Sequence, residues 1–153
     1  LLLIIFFFLN FFNLMYLGDS GAYLISFIIG IWLINLSENH VLVSPYYIVN
    51  LLWYPAYENL FSILRKLKNK GSPLQPDNLH LHQLIFKYLE KKLRNKKIIN
   101  TLTGCIINLY NFILFYLATL DYSNTKYQLS LIFMSLLIYS LLYINLKFYL
   151  VKK

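Results

Sequence analysis

Asp19, Arg65, His80 and His82 are the residues of this chain whose types and settings could do chemistry. Asp19 is one of only six acids and sits in Gly18-Asp19-Ser20-Gly21, where an apolar run begins. A charge at a membrane boundary is costly to bury and is a functional candidate by default. A carboxylate between glycines lets backbone and phosphate come close, a setting that suits a hard cation bound through one or two carboxylates and phosphate oxygens. On spacing alone the same four residues read first as a helix start capped by Asp19 or Ser20. His80 and His82 close the stretch Ser72-Pro73-Leu74-Gln75-Pro76-Asp77-Asn78-Leu79-His80-Leu81-His82. Pro76 disfavours helix before it and Asp77 is a natural N-cap, so both His residues fall near a helix N-terminus, where free N–H groups favour an anion. Zinc is the weaker alternative, since residues two apart point to different sides of a helix and no Cys or third His completes a set. Solvated His residues without a role are the third reading. Arg65 ends an apolar run, where its guanidinium could fork onto a phosphate. His40 stands alone and is given no role.

The elements that must carry these residues are membrane helices. Apolar residues make up 59% of the 153 positions, against roughly 45–50% in ordinary soluble domains. They come in uncharged runs at 20–37, 41–57, 98–120 and 127–146, with a partial run at 1–17. A helix needs about 20 such residues to cross the hydrocarbon, and only helices or closed barrels satisfy their backbone there. The expectation is an all-α, polytopic transmembrane helix bundle. It has four full spans and a partial N-terminal one, in a single integral membrane domain over 1–153. The opening Leu1 lies inside an apolar run with no basic leader before it, which reads as the C-terminal part of a longer protein. Cys105 falls inside an expected span and has no second Cys to pair with.

Charge sets the expected orientation. The segment 65–97 holds ten of the fourteen Lys and Arg residues, and with Asp77 and Glu90 it sums to +8, the formal charge of the whole chain. The positive-inside rule makes 65–97 a cytoplasmic loop, with Glu38–His40 and Asp121–Lys126 external and the C-terminus cytoplasmic. Topology and contact with anionic lipid account for most of these cations, and no nucleic-acid motif accompanies them. After Pro76, the apolar residues Leu81, Leu84, Ile85, Tyr88 and Leu89 recur at helical spacing opposite Lys87, Lys91, Lys92 and Arg94. That pattern predicts a short amphipathic helix lying on the membrane surface.

Three segments in order resemble a known family: Tyr16-Leu17-Gly18-Asp19-Ser20-Gly21-Ala22-Tyr23, then Pro55-Ala56-Tyr57-Glu58-Asn59-Leu60-Phe61-Ser62-Ile63-Leu64-Arg65-Lys66, then the stretch from Ser72 to His82. They are similar to the C-terminal half of the polyprenyl-phosphate N-acetylhexosamine-1-phosphate transferases, glycosyltransferase family 4. The resemblance implies a cytoplasmic-membrane enzyme that passes a sugar-1-phosphate from a UDP-N-acetyl sugar to a polyprenyl phosphate such as undecaprenyl phosphate, releasing UMP. It implies magnesium, with manganese as a substitute, held by Asp19. It implies that Arg65, His80 and His82 hold the nucleotide diphosphate. The lipid bilayer is a partner, nucleic acid is not, and a homodimer is left open.

Two departures from the family pattern stand out. Gln83 replaces the second member of a common His pair and cannot become cationic. No Asp-Asp pair occurs in these 153 residues, so the chain is expected to hold half of an active site. A non-catalytic membrane protein, either a decayed relative or an anchoring subunit, is the competing expectation. A transporter is weaker, because the spans lack the ionisable residues that mark an ion path.

Overall fold

A computed structural model describes residues 2–68 and 79–151, and every regular element among them is an α-helix. In chain order these are α1 (Leu2–Phe11), α2 (Gly18–Asn39), α3 (Pro45–Leu51), α4 (Trp53–Lys68), α5 (Leu81–Glu90), α6 (Lys96–Leu120) and α7 (Thr125–Val151). Three of them, α2, α6 and α7, are long and apolar enough to cross a membrane. The all-helical expectation holds. The Ser72–Asn78 part of the third segment lies outside the described residues, and so does Asp77 as a cap.

The run at 41–57 is not one helix. Pro45 enters α3 at its first position behind an extended Ser44, where its missing N–H costs nothing. Pro55 has no N–H to give the carbonyl of Leu51, and its ring crowds that carbonyl. The helix therefore breaks at Leu52 (φ −100°, ψ 5°) and resumes as α4. Neither piece alone reaches the length of a span. Nor is 65–97 simply a loop. Residues 65–68 finish α4, α5 fills 81–90 and α6 starts at Lys96.

Local sequence explains the other boundaries. Asn13 ends α1 in the left-handed region (φ 56°), with Leu14 N–H on the Leu9 carbonyl at 2.9 Å and Asn13 N–H on the Asn10 carbonyl at 2.9 Å. This is the Schellman pattern, which Asn tolerates better than other side chains. The same Asn13 donates to Thr101 Oγ1 at 2.9 Å and accepts from Asn100 Nδ2, fastening the end of α1 to the start of α6. Asn95 caps α6, its Oδ1 accepting from the N–H groups of Lys97 and Ile98.

The core is aromatic and aliphatic. Trp53, Leu81, Leu84, Ile85, Leu114, Tyr139 and Tyr143 form one buried cluster from α4, α5, α6 and α7. Here the structure corrects the surface-helix expectation. The apolar face of α5 is turned onto protein, against α6 and α7, and not onto lipid. Helix α7 runs to Val151, beyond the uncharged run, and its last turns give α5 a wall to pack on; Tyr88 meets Tyr149 at 5.2 Å between ring centroids. No residue of α2 is buried.

At the opposite end of the bundle a polar clamp joins α3, α6 and α7. Asn50 and Gln128 are both 0% exposed. Asn50 Nδ2 donates to Gln128 Oε1 at 2.8 Å, and Gln128 Nε2 donates to the carbonyls of Ala118 at 2.8 Å and Asp121 at 2.9 Å. Ser44 N–H reaches the Tyr122 carbonyl at 3.0 Å beside it. The Asp121–Lys126 link thus meets the start of α3 at this end. Gln128→Leu removes the side-chain bonds to Asn50, Ala118 and Asp121 and leaves Asn50 Nδ2 only the backbone carbonyl of residue 128, at 3.1 Å. Thermal unfolding in detergent should show a loss of about 1 kcal/mol, at the upper part of the range for interhelical hydrogen bonds in membranes.

Candidate functional site

The site is built around Glu58. On α4, Glu58, Ser62 and Arg65 recur at intervals of four and three, so they share one face of the helix. Glu58 and Ser62 are buried, and Glu58 is only 7% exposed. Its Oε1 accepts two hydrogen bonds, from Leu81 N–H at 2.9 Å and from His80 Nδ1 at 2.9 Å. The first caps α5 from another helix, placing a carboxylate where the N-terminal dipole favours negative charge. The second fixes the imidazole. The His80 backbone N–H is answered by Gln83 Oε1 at 3.1 Å. Gln83, read from sequence as a weakened ligand, thus acts as half of a capping box.

His80 is the N-cap of α5, with extended backbone (φ −71°, ψ 152°). It is therefore free of the helical spacing that would have pointed it away from His82. Their rings stack, with centroids 5.6 Å apart and planes 13° from parallel. This overturns the expectation that the two point to different sides. Among the described residues no group of three or more His, Cys, Asp or Glu stands together as a metal-ligand set.

Arg65 stands one end of the stripe away. Its Nη1 donates to Tyr143 Oη at 3.0 Å and its Nη2 to Ser62 Oγ at 3.4 Å, while the guanidinium lies over the rings of Phe61 and Tyr143. It lines a cavity of about 780 Å³ with Lys68 and Lys147, a cationic mouth over an aromatic floor. His82 opens elsewhere. It borders a cavity of about 330 Å³ with Lys87, Asn100 and Thr103, and a larger one of about 1140 Å³ that reaches Tyr54 and the apolar faces of α1 and α6. Helix α4 lines the Arg65 cavity and, through Tyr54, the larger of the two beside His82.

Asp19 is not brought into this constellation. It is exposed in the first turn of α2, borders none of these cavities and makes no hydrogen bond or ion pair with a described residue. The capping alternative is not realised either: Leu17 precedes the helix and no side chain caps it. One exposed carboxylate supplies one hard ligand, which suits magnesium only where phosphates complete its shell.

Sequence reasoning left Glu58 out of the site. The signal was present: it is the only acid in the apolar stretch between His40 and Arg65, and an ionisable residue in such a place has a partner or a function.

No family model and no solved structure matches this chain. Among curated proteins it is similar to the decaprenyl-phosphate N-acetylglucosaminephosphotransferase of Mycolicibacterium smegmatis. The two are 31% identical over 84 residues, covering 47% of this chain and 21% of the relative. The chain therefore spans about a fifth of that relative's length.

Protein packed against one side of His82 lowers its pKa below the usual 6.5, outweighing the opposing pull of Glu58, while His80 adds to the lowering; its other side stays open to solvent. A His whose folded pKa is depressed favours the fold when neutral. Stability from this group is complete above about pH 6.5 and declines as pH falls through and below that value. Melting temperature should fall more for the wild type than for His82→Gln between about pH 7.5 and 5.5. Equal losses in the two would contradict the assignment.

Proposed function

We propose that this chain is part of a membrane transferase that moves an N-acetylhexosamine-1-phosphate from a UDP-sugar to a polyprenyl phosphate, forming the first lipid-linked intermediate of a cell-envelope polysaccharide. The observation that carries this is the joint one. The chain is similar to a decaprenyl-phosphate N-acetylglucosaminephosphotransferase, and the His80–His82 pair of its third motif is tied by Glu58 to the same helix that bears Arg65.

In this proposal α3 and α4 together make a fourth, kinked span. The end carrying Arg65, α5 and the start of α6 faces the cytoplasm of a cell whose inner membrane holds the protein, in line with its excess of cations. An oxygen of the polyprenyl phosphate attacks the β-phosphorus of the UDP-sugar. The bond from that phosphorus to the bridging oxygen breaks, and UMP leaves with the electron pair. Arg65 and His80 hold diphosphate oxygens in line for displacement, Arg65 by a forked contact and His80 through Nε2. Asp19 would hold a magnesium ion, which would supply positive charge to the phosphates. Lys68 and Lys147 add a positive field at the mouth shared with Arg65.

The second reading is a membrane protein without catalysis. The isolation of Asp19 and the lack of an Asp-Asp pair speak for it. The full-length protein in membranes, given magnesium, polyprenyl phosphate and UDP-N-acetylglucosamine, is expected to release UMP. Asp19→Asn and His80→Ala should each lower that rate by roughly 100-fold or more, the scale of losing a transition-state charge contact. Activity unchanged by both substitutions, or no UMP from any UDP-N-acetyl sugar, would favour the second reading.

A further inference from the structure

We infer that Glu58 is a positioning residue whose negative charge, and not merely its hydrogen-bonding shape, holds His80 ready to donate to a diphosphate. This rests on the diphosphate-binding role given to His80 above. The ring of His80 is anchored at Nδ1 by a carboxylate that is itself immobilised. Glu58 is buried on α4, and its Oε1 is shared with the first N–H of α5. The two ring nitrogens diverge, so anchoring Nδ1 turns Nε2 outward. The His80 side chain keeps 22% of its surface exposed. An imidazole serves an anion best when both nitrogens carry protons, one given to Glu58 and the other to the ligand. A carboxylate on the far nitrogen also fixes the orientation of the ring, as the partner of a catalytic or metal-binding His does.

Glu58 Oε2 and the hydroxyl oxygens of Tyr54 on α4 and Tyr139 on α7 are buried without a partner at hydrogen-bond distance. Nothing cationic from the described residues competes for the carboxylate. Arg65 is engaged with Tyr143 and Ser62 further along the stripe. His82 stacks beside His80, with ring centroids 5.6 Å apart.

Glu58→Gln separates the two roles, because the amide oxygen can still accept from both His80 and Leu81. If Glu58 serves only as a helix cap, the substitution is silent. If its charge matters, UDP binding weakens while the fold persists. Titration calorimetry of the full-length protein with UDP should give a Kd about five-fold higher for Glu58→Gln, the scale separating a charge-assisted from a neutral hydrogen bond. KM for the UDP-sugar should rise in parallel, with kcat within about two-fold of wild type. In a His80→Ala background the Glu58→Gln substitution should add nothing. Glu58→Asp, which keeps the charge, should bind better than Glu58→Gln, and this comparison carries the test if the amide variant does not fold. Glu90→Gln, on the exposed end of α5, is the control and should leave Kd unchanged. Wild-type Kd in Glu58→Gln, an effect undiminished in the His80→Ala background, or Asp no better than Gln would each overturn the inference. If the wild type binds UDP but turns over no UDP-sugar, the proposed activity fails while the role of Glu58 is still decided by the Kd values. A wild type that does not bind UDP overturns both.

Discussion

One carboxylate oxygen ties the site-bearing end of this bundle together. Glu58 Oε1 stops the α5 N-terminus, orients His80 and links both to α4. Without it, α5 would still have an amphipathic face for α6 and α7, but its first N–H and the His80 ring would have no fixed partner. The cost of burying a charge is what makes the contact specific. An ion of this kind is tolerated only where hydrogen bonds and an opposite dipole meet it, and the start of α5 provides both. The aromatic cluster of Trp53, Tyr57, Phe61, Tyr139 and Tyr143 keeps α4 against α7.

Pro55 supplies the second constraint. By breaking the helix at Leu52 it lets α3 answer the polar clamp of Gln128 while α4 presents Glu58 to α5. A continuous helix would have to satisfy both contacts with one rigid register. The two ends of the bundle are thus stabilised by different chemistry. Neutral amides close one, and a carboxylate with an imidazole organises the other.

The long elements were legible in the sequence because their apolar runs match the physical thickness of a membrane. Helices α2, α6 and α7 fall where the uncharged stretches lie. The amphipathic face of α5 was legible for the same reason, as Leu81, Leu84 and Ile85 are the residues buried. What covers that face was not, since periodicity says which side is apolar but not whether lipid or protein meets it. The break at Leu52 could have been read from Pro55, whose missing donor acts four residues upstream. The stacking of His80 on His82 could not, because it depends on His80 being an N-cap, and the choice of cap was set by a carboxylate more than twenty residues away. Arg65 on α4 and His80 at the start of α5 are joined through Glu58, while Asp19 remains apart from them among the described residues.

The similarity to a decaprenyl-phosphate N-acetylglucosaminephosphotransferase covers part of this chain and a smaller part of that enzyme, so the complete reaction centre is a proposal that the Glu58–His80 arrangement must support. The most direct test is an experimental structure of the full-length protein with UDP bound. The account predicts a diphosphate oxygen within hydrogen-bond distance of His80 Nε2, with Nδ1 still on Glu58 and Arg65 turned from Tyr143 toward the same ligand. A diphosphate bound away from α5, or a His80 ring released from Glu58 when the nucleotide is present, would contradict it.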